Sequence, residues 1–255
     1  MREHTFELPG KARLNVSIPA GEIDIETQPG PQAFVRLSPV VDDEEGREAV
    51  ERAHIELHGS ELAVQVKEKR FHLGRAPEIR AEITVPDGTE TRVHTASADV
   101  RARGTLGSTE THVASGDLEL DRVEGRLKAH SASGGVRIGA VRDEAVVHSA
   151  SGDLDIASSD GPVKVHTASG DVAVGNAGAG PIRVHSASGD VSIAVREGRR
   201  VAVDVRTVSG KARSDIPLDA EGDEGGYAPL VEIKVNGVSG DVLIGRAAET
   251  AALEA

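Results

Sequence analysis

A seven-residue motif that returns every eighteen residues limits what this chain can fold into more than any other feature. It reads His-Thr-Ala-Ser-Ala-Asp-Val from His94, His-Val-Ala-Ser-Gly-Asp-Leu from His112 and His-Ser-Ala-Ser-Gly-Gly-Val from His130. It continues as His-Ser-Ala-Ser-Gly-Asp-Leu from His148, His-Thr-Ala-Ser-Gly-Asp-Val from His166 and His-Ser-Ala-Ser-Gly-Asp-Val from His185. The intervals are 18, 18, 18, 18 and 19 residues. Two degenerate copies begin at Arg206 and Asn236. Such self-similarity marks a stacked repeat fold, because one unit of this size cannot bury its own apolar face.

A period of nine lies inside the eighteen. Apolar or small residues recur as n, n+2 pairs, such as Leu127/Ala129, Val136/Ile138, Ala145/Val147, Leu154/Ile156 and Val163/Val165. Alternation of this kind is strand periodicity, and no helical template fits it. Each unit therefore holds two short strands and two turns. One turn is Ser-Gly-Asp, where Gly reaches positive φ without strain and Ser and Asp can bond nearby backbone amides. The other is looser, with Gly107, Gly125, Gly161, Gly180 and Gly198 and, in one unit, Asp143. Coils stacked in chain order at ~4.8 Å give two parallel sheets facing each other. A hexapeptide helix would also hold 18 residues per coil, but it needs an apolar residue every six.

The fold expected is thus all-β, a single-domain parallel β-solenoid of flattened two-sheet form with about 18 residues per coil and irregular N-terminal coils. Residues 1–90 read as irregular coils with a short helical insertion, acting as a cap. Residues 91–213 read as regular coils, and 214–255 as an acidic loop, a last coil and a tail, all in one continuous domain. Strands are expected near 33–37, 54–58, 61–67, 78–85, 230–235 and 241–245. Acidic residues early in 43–53 suit a short exposed helix.

Composition closes off several function classes. The chain has no Cys, which removes disulfides, thiolate metal sites and a Cys nucleophile. A net charge of −13 over 255 residues argues against non-specific nucleic-acid binding. With 2% aromatic residues there are few stacking platforms, and a narrow solenoid filled by Val, Leu, Ile and Ala needs none. The first residues hold no apolar run of signal-peptide length, and no stretch approaches a membrane span of ~20 apolar residues. The cytoplasm is the expected location.

The repeated Thr/Ser-Ala-Ser-Gly-Asp-Val units resemble the bacterial putative-adhesin family of β-strand-repeat proteins, a domain of unknown function. The likeness runs from about Leu14 to Ile244. It includes an early Ala-Gly-Glu-Ile unit, an insertion, and a strand ending at Val85-Pro86 before the regular coils. The resemblance implies a non-catalytic binding fold, with no cofactor and no catalytic residue attached to it.

Stacking turns repeated residues into columns. Val165 and Thr167 point inward, so Lys164 and His166 point outward. His94, His112, His130, His148, His166 and His185 should then form an exposed column. Three readings of it stay open: a neutral solvated ladder, a pH switch in which neighbouring imidazoles repel one another, and transition-metal binding by paired His. Beside it stand Arg92, Glu110, Lys128, Val146, Lys164 and Arg183, so Arg92, Lys128, Lys164 and Arg183 make this face the candidate site for an anionic protein or polymer partner. On the other sheet, Arg101, Glu119, Arg137 and Asp155 alternate in sign and should form cross-strand ion pairs. The turn column Asp99, Asp117, Asp153, Asp171 and Asp190 suits bonds to turn amides better than calcium, because Gly135 interrupts it. The leading expectation is a non-catalytic scaffold or adhesin-like binding module presenting a flat His-bearing face. The alternatives are a filament self-associating through open edges and a carbohydrate-active enzyme on a β-helix.

Overall fold

The structure, a computed structural model, describes residues 1–8, 10–67, 76–216 and 230–247. In chain order its elements are β1 (Arg2–Glu7), β2 (Arg13–Ser17), β3 (Ala20–Gln28), β4 (Gln32–Pro39), α1 (Glu44–Glu51), β5 (His54–His58), β6 (Glu61–Gln65) and β7 (Ile79–Pro86). Then come β8 (Glu90–Leu106), β9 (Thr109–Ser115), β10 (Leu118–Val123), β11 (Leu127–Ser133), β12 (Val136–Val141), β13 (Ala145–Ser151), β14 (Leu154–Ser159) and β15 (Val163–Ser169). The chain closes with β16 (Val172–Ala177), β17 (Ile182–Ser188), β18 (Val191–Val195), β19 (Arg200–Ser209), β20 (Ala212–Ser214), β21 (Leu230–Ser239) and β22 (Val242–Arg246). No helix among the described residues is long and apolar enough to cross a membrane.

The result is an all-β parallel solenoid. β8, β9, β11, β13, β15 and β17 stack in parallel on one face, each repeat facing its equivalent. The second half of β8 stacks with β10, β12, β14, β16 and β18 on the other. The n, n+2 residues all point between the faces: Leu127, Ala129, Val136, Ile138, Val163 and Val165 are essentially inaccessible. Each buried Val, Leu or Ile stabilises by about 1.5–3 kcal/mol relative to exposure.

Glycine makes the sharp corner. Gly116, Gly134, Gly152, Gly170 and Gly189 have φ between +115° and +124°, a region closed to other residues. Where Ala98 stands in place of that Gly, φ is not positive and β8 runs unbroken through the corner for 17 residues, serving both faces.

The ends depart from chain order. β2 and β3 lie between β8 on one side and β6 and β7 on the other. β21 and β22 are inserted between β17/β18 and β19/β20. The coils β2/β3 and β21/β22 are therefore inner coils; β19/β20, from nearer the middle of the chain, lie outside β21/β22. Beyond β7, sheet pairing turns antiparallel through β4 and β1, and β5 pairs antiparallel with β6. Helix α1 packs on β4 through Val50. Its first turn is capped by the Asp43 carboxylate, which accepts the Gly46 N–H at 2.7 Å. The Arg2 guanidinium donates to the carbonyls of Val50, Glu51 and Ala53, satisfying the other end. The expected strands in the irregular parts are found, and the helix is three residues shorter than 43–53. The acidic loop beyond Ile216 and the tail beyond Ala247 lie outside the described residues.

Candidate binding face

In the strand that opens each regular coil, the residue after the second buried apolar or small position points outward, and that residue is His. The six histidines are opposite one another in the parallel ladders. From His112 to His185 the rings stack with centroids 4.7, 4.9, 5.0 and 4.8 Å apart and planes within 8°. His94, at the end, is tilted by 47° at 6.0 Å. The column is less exposed than the sequence suggests: only His94 is exposed, and the other five are half-buried against each other. Asn236 and then Arg206 continue the column past His185.

Partial burial is the main force on the ring protons. It lowers the pKa of His130, with His112, His148 and Lys128 adding repulsion and Glu110 opposing. It also lowers that of His166, with His185, His148 and Lys164 adding repulsion. The repulsion expected from sequence is therefore secondary to desolvation. The stacking also bears on metal binding. A ring nitrogen's lone pair lies in the ring plane, and parallel planes converge on no common point, so neighbouring rings must rotate before they can share an ion. Among the described residues no group of three or more His, Asp or Glu is placed to hold a metal.

Next to the histidines runs a charged column that changes character along the rod. Glu110 sits between Arg92 at 3.2 Å and Lys128 at 3.3 Å and also meets His112 Nε2 at 3.3 Å. Hydrogen bonds from His112 and Lys128 lower its pKa to about 2. Arg92 and Lys128 thus share one carboxylate, which offsets one of their two positive charges. Further along, Lys164, Arg183 and Lys234 face one another in consecutive register. Among the described residues neither Lys164 nor Arg183 has a carboxylate within ion-pair distance, and Lys234 meets Asp204 at 3.5 Å. Lys234 is not among the residues expected from sequence, because its coil is inserted out of order. The alignment of Ile233-Lys234-Val235 with Ile182-Arg183-Val184 is the signal that marks it. On the far side of the histidines, a shallow groove of about 500 Å³ is lined by His94, His112, His130, His148 and the exposed Ala114 and Ala132.

The opposite face holds a larger groove of about 800 Å³ beside the Asp column. Its carboxylates are occupied. Asp99 accepts the Asp117 N–H at 3.0 Å, Asp117 that of Gly135 at 2.8 Å, Asp153 that of Asp171 at 3.0 Å and Asp171 that of Asp190 at 2.8 Å. Each Asp thus ties its coil to the next through a charge-assisted bond. The alternating stripe on this face pairs less than expected: Arg101 reaches Glu119 at 3.7 Å, whereas Arg137 and Asp155 are opposite in register without an ion pair.

A parallel two-sheet solenoid with a repetitive, His-bearing face is a repeat protein of the β-helix class. The chain belongs to the Toastrack DUF4097 family, whose model matches residues 14–245. Among solved structures it is similar to a putative adhesin from Bacteroides fragilis, with 13% identity, a TM-score of 0.53 and coverage of 95% of this chain and 96% of that one. It also matches a putative adhesin from Parabacteroides merdae, at 11% identity, a TM-score of 0.40 and 95% of each chain. The first likeness establishes the fold. Among curated proteins no sequence matches the chain.

Proposed function

We propose that the protein is a non-catalytic binding module whose His-bearing face docks an extended anionic partner. The observation that carries this reading is the run of three cations, Lys164, Arg183 and Lys234, in adjacent register beside the histidines. An anionic polymer laid along the rod axis would meet Lys164 and Arg183, and then Lys234, which shares Asp204, at successive ~4.8 Å steps, on a protein whose overall charge is −13. The recurrence of Ser, His and Asp in coil after coil favours a structural unit over a single catalytic centre, which needs one base holding one nucleophile. The Asp carboxylates are also committed to backbone amides.

Calorimetry with polygalacturonate and dextran sulfate at low and high salt tests the proposal. Binding that weakens with salt, and at least tenfold in a Lys164→Glu/Arg183→Glu variant, is expected. Absence of binding to both polymers, or equal binding by the variant, removes the proposal. Release of shorter chains from either polymer would favour the enzymatic alternative.

A further inference from the structure

The two ends of the rod are built differently. At the N-terminal end the outer strands β1 and β5 are only six and five residues long. They carry exposed charged or polar side chains, including Glu3, Glu56, His54 and His58. Short, charged edges resist pairing with another chain. At the other end, β19 is ten residues long, pairs with β21 on one side, and has no strand among the described residues on its other side. Val201, Val203 and Val205 point inward and are only partly covered, while Val208 is 83% exposed.

We infer that β19 is a self-complementary edge that joins two copies of the protein tail to tail, antiparallel, about a two-fold axis through Val205. The register follows from charge. An axis perpendicular to the sheet keeps inward residues inward, so opposed residues must share parity. Centring on Val205 sets Asp204, which meets Arg206 and Lys234 of its own chain at 3.3 and 3.5 Å, against Arg206 of the second copy and Arg206 against its Asp204, so the two intrachain pairs join into one alternating cluster. The same register sets Val203 against Thr207 and the exposed Ala202 against Val208. Centring on Asp204 would oppose that carboxylate to itself, and centring on Val203 would oppose Arg200 to Arg206. The partly covered Val203 and Val205 would then continue the core across the junction. A closed dimer results rather than a filament, because a head-to-tail polymer would need the short, charged N-terminal edges to accept β19.

Sedimentation across a dilution series tests the inference. The intact chain is expected to be a dimer that dissociates on dilution. Asp204→Arg and Arg206→Asp, each on the exposed face, are each expected to weaken it about tenfold by replacing two attractive pairs with two repulsive ones. The double swap restores complementarity and should recover the dimer. The chain has no cysteine, so Val205→Cys should give a single disulfide-linked dimer, since paired Cα atoms lie ~4.5–5.5 Å apart. Val208→Cys should not, because the two 208 positions would be ~20 Å apart. A monomer at every concentration, an open-ended polymer, or a dimer indifferent to both charge reversals overturns the inference.

Discussion

At Gly152 the backbone has φ +116°, and a Cβ there would lie 2.2 Å from the Gly134 carbonyl oxygen. Gly152→Ala therefore meets both a forbidden conformation and the backbone of the preceding coil. A loss of about 3 kcal/mol or more is expected, read from denaturant unfolding. Gly135 is the opposite case. Its φ is not positive and a Cβ would have 3.5 Å to Asp117 Oδ1 and 3.9 Å to the Asp153 carbonyl. It occupies the Asp position of its repeat, so Gly135→Asp supplies the missing carboxylate for the Asp153 N–H. Stabilisation by about 0.5–1 kcal/mol is expected in the same assay, from the new bond and the lower entropy of the unfolded chain. Glu110 is a third distinct position. Because its folded pKa is lowered to about 2, its contribution is present above pH ~4.3 and is lost as pH falls toward the folded value. Glu110→Gln should remove that part of the acid dependence and little else.

At the scale of an element, the histidine ladder makes stability depend on pH in the reverse way from a His salt bridge. Burial holds His130 and His166 below the ordinary value of ~6.5. Below that value the unfolded chain binds protons that the folded chain refuses. Stability is therefore full above pH ~6.5 and falls as pH drops through that value toward the folded pKa values. Thermal unfolding between pH 8 and pH 5 should show this loss, and a His130→Asn/His166→Asn variant should show less of it. Asn is a fair replacement because Asn236 already occupies the column. The alternation at n, n+2 and the eighteen-residue return made these strands and this column legible in the sequence. The half-burial of the rings was not legible, since it depends on how closely one imidazole covers the next.

At the scale of the molecule, insertion of β21/β22 beneath β19/β20 sets the order of stability. An inner coil has neighbours on both sides and an outer coil has one. In the dissociated chain at high dilution, amide hydrogen exchange should therefore be slower in β21 and β22 than in β19 and β20, although the former are nearer the C-terminus. Truncation after Ser214 should do more than remove a terminal coil. It leaves β19 and β20 without the strands they pair with and bares the β17/β18 edge. Aggregation or loss of the folded rod is expected, followed by light scattering.

The sequence by itself determined the coil, because strand alternation, a glycine that alone tolerates its corner, and an Asp that bonds the next turn are local requirements repeated eight times with variations. It determined which residues form columns for the same reason. Only the tertiary structure decided the order of the coils at the two ends, since a degenerate unit such as the one from Asn236 can pair with any neighbour of matching register. That order placed Lys234 beside Arg183 rather than beyond Asp204, and left β19 outermost among the described strands. Both the cationic run and the outer position of β19 among the described strands arise from long-range pairing, which no eighteen-residue window contains.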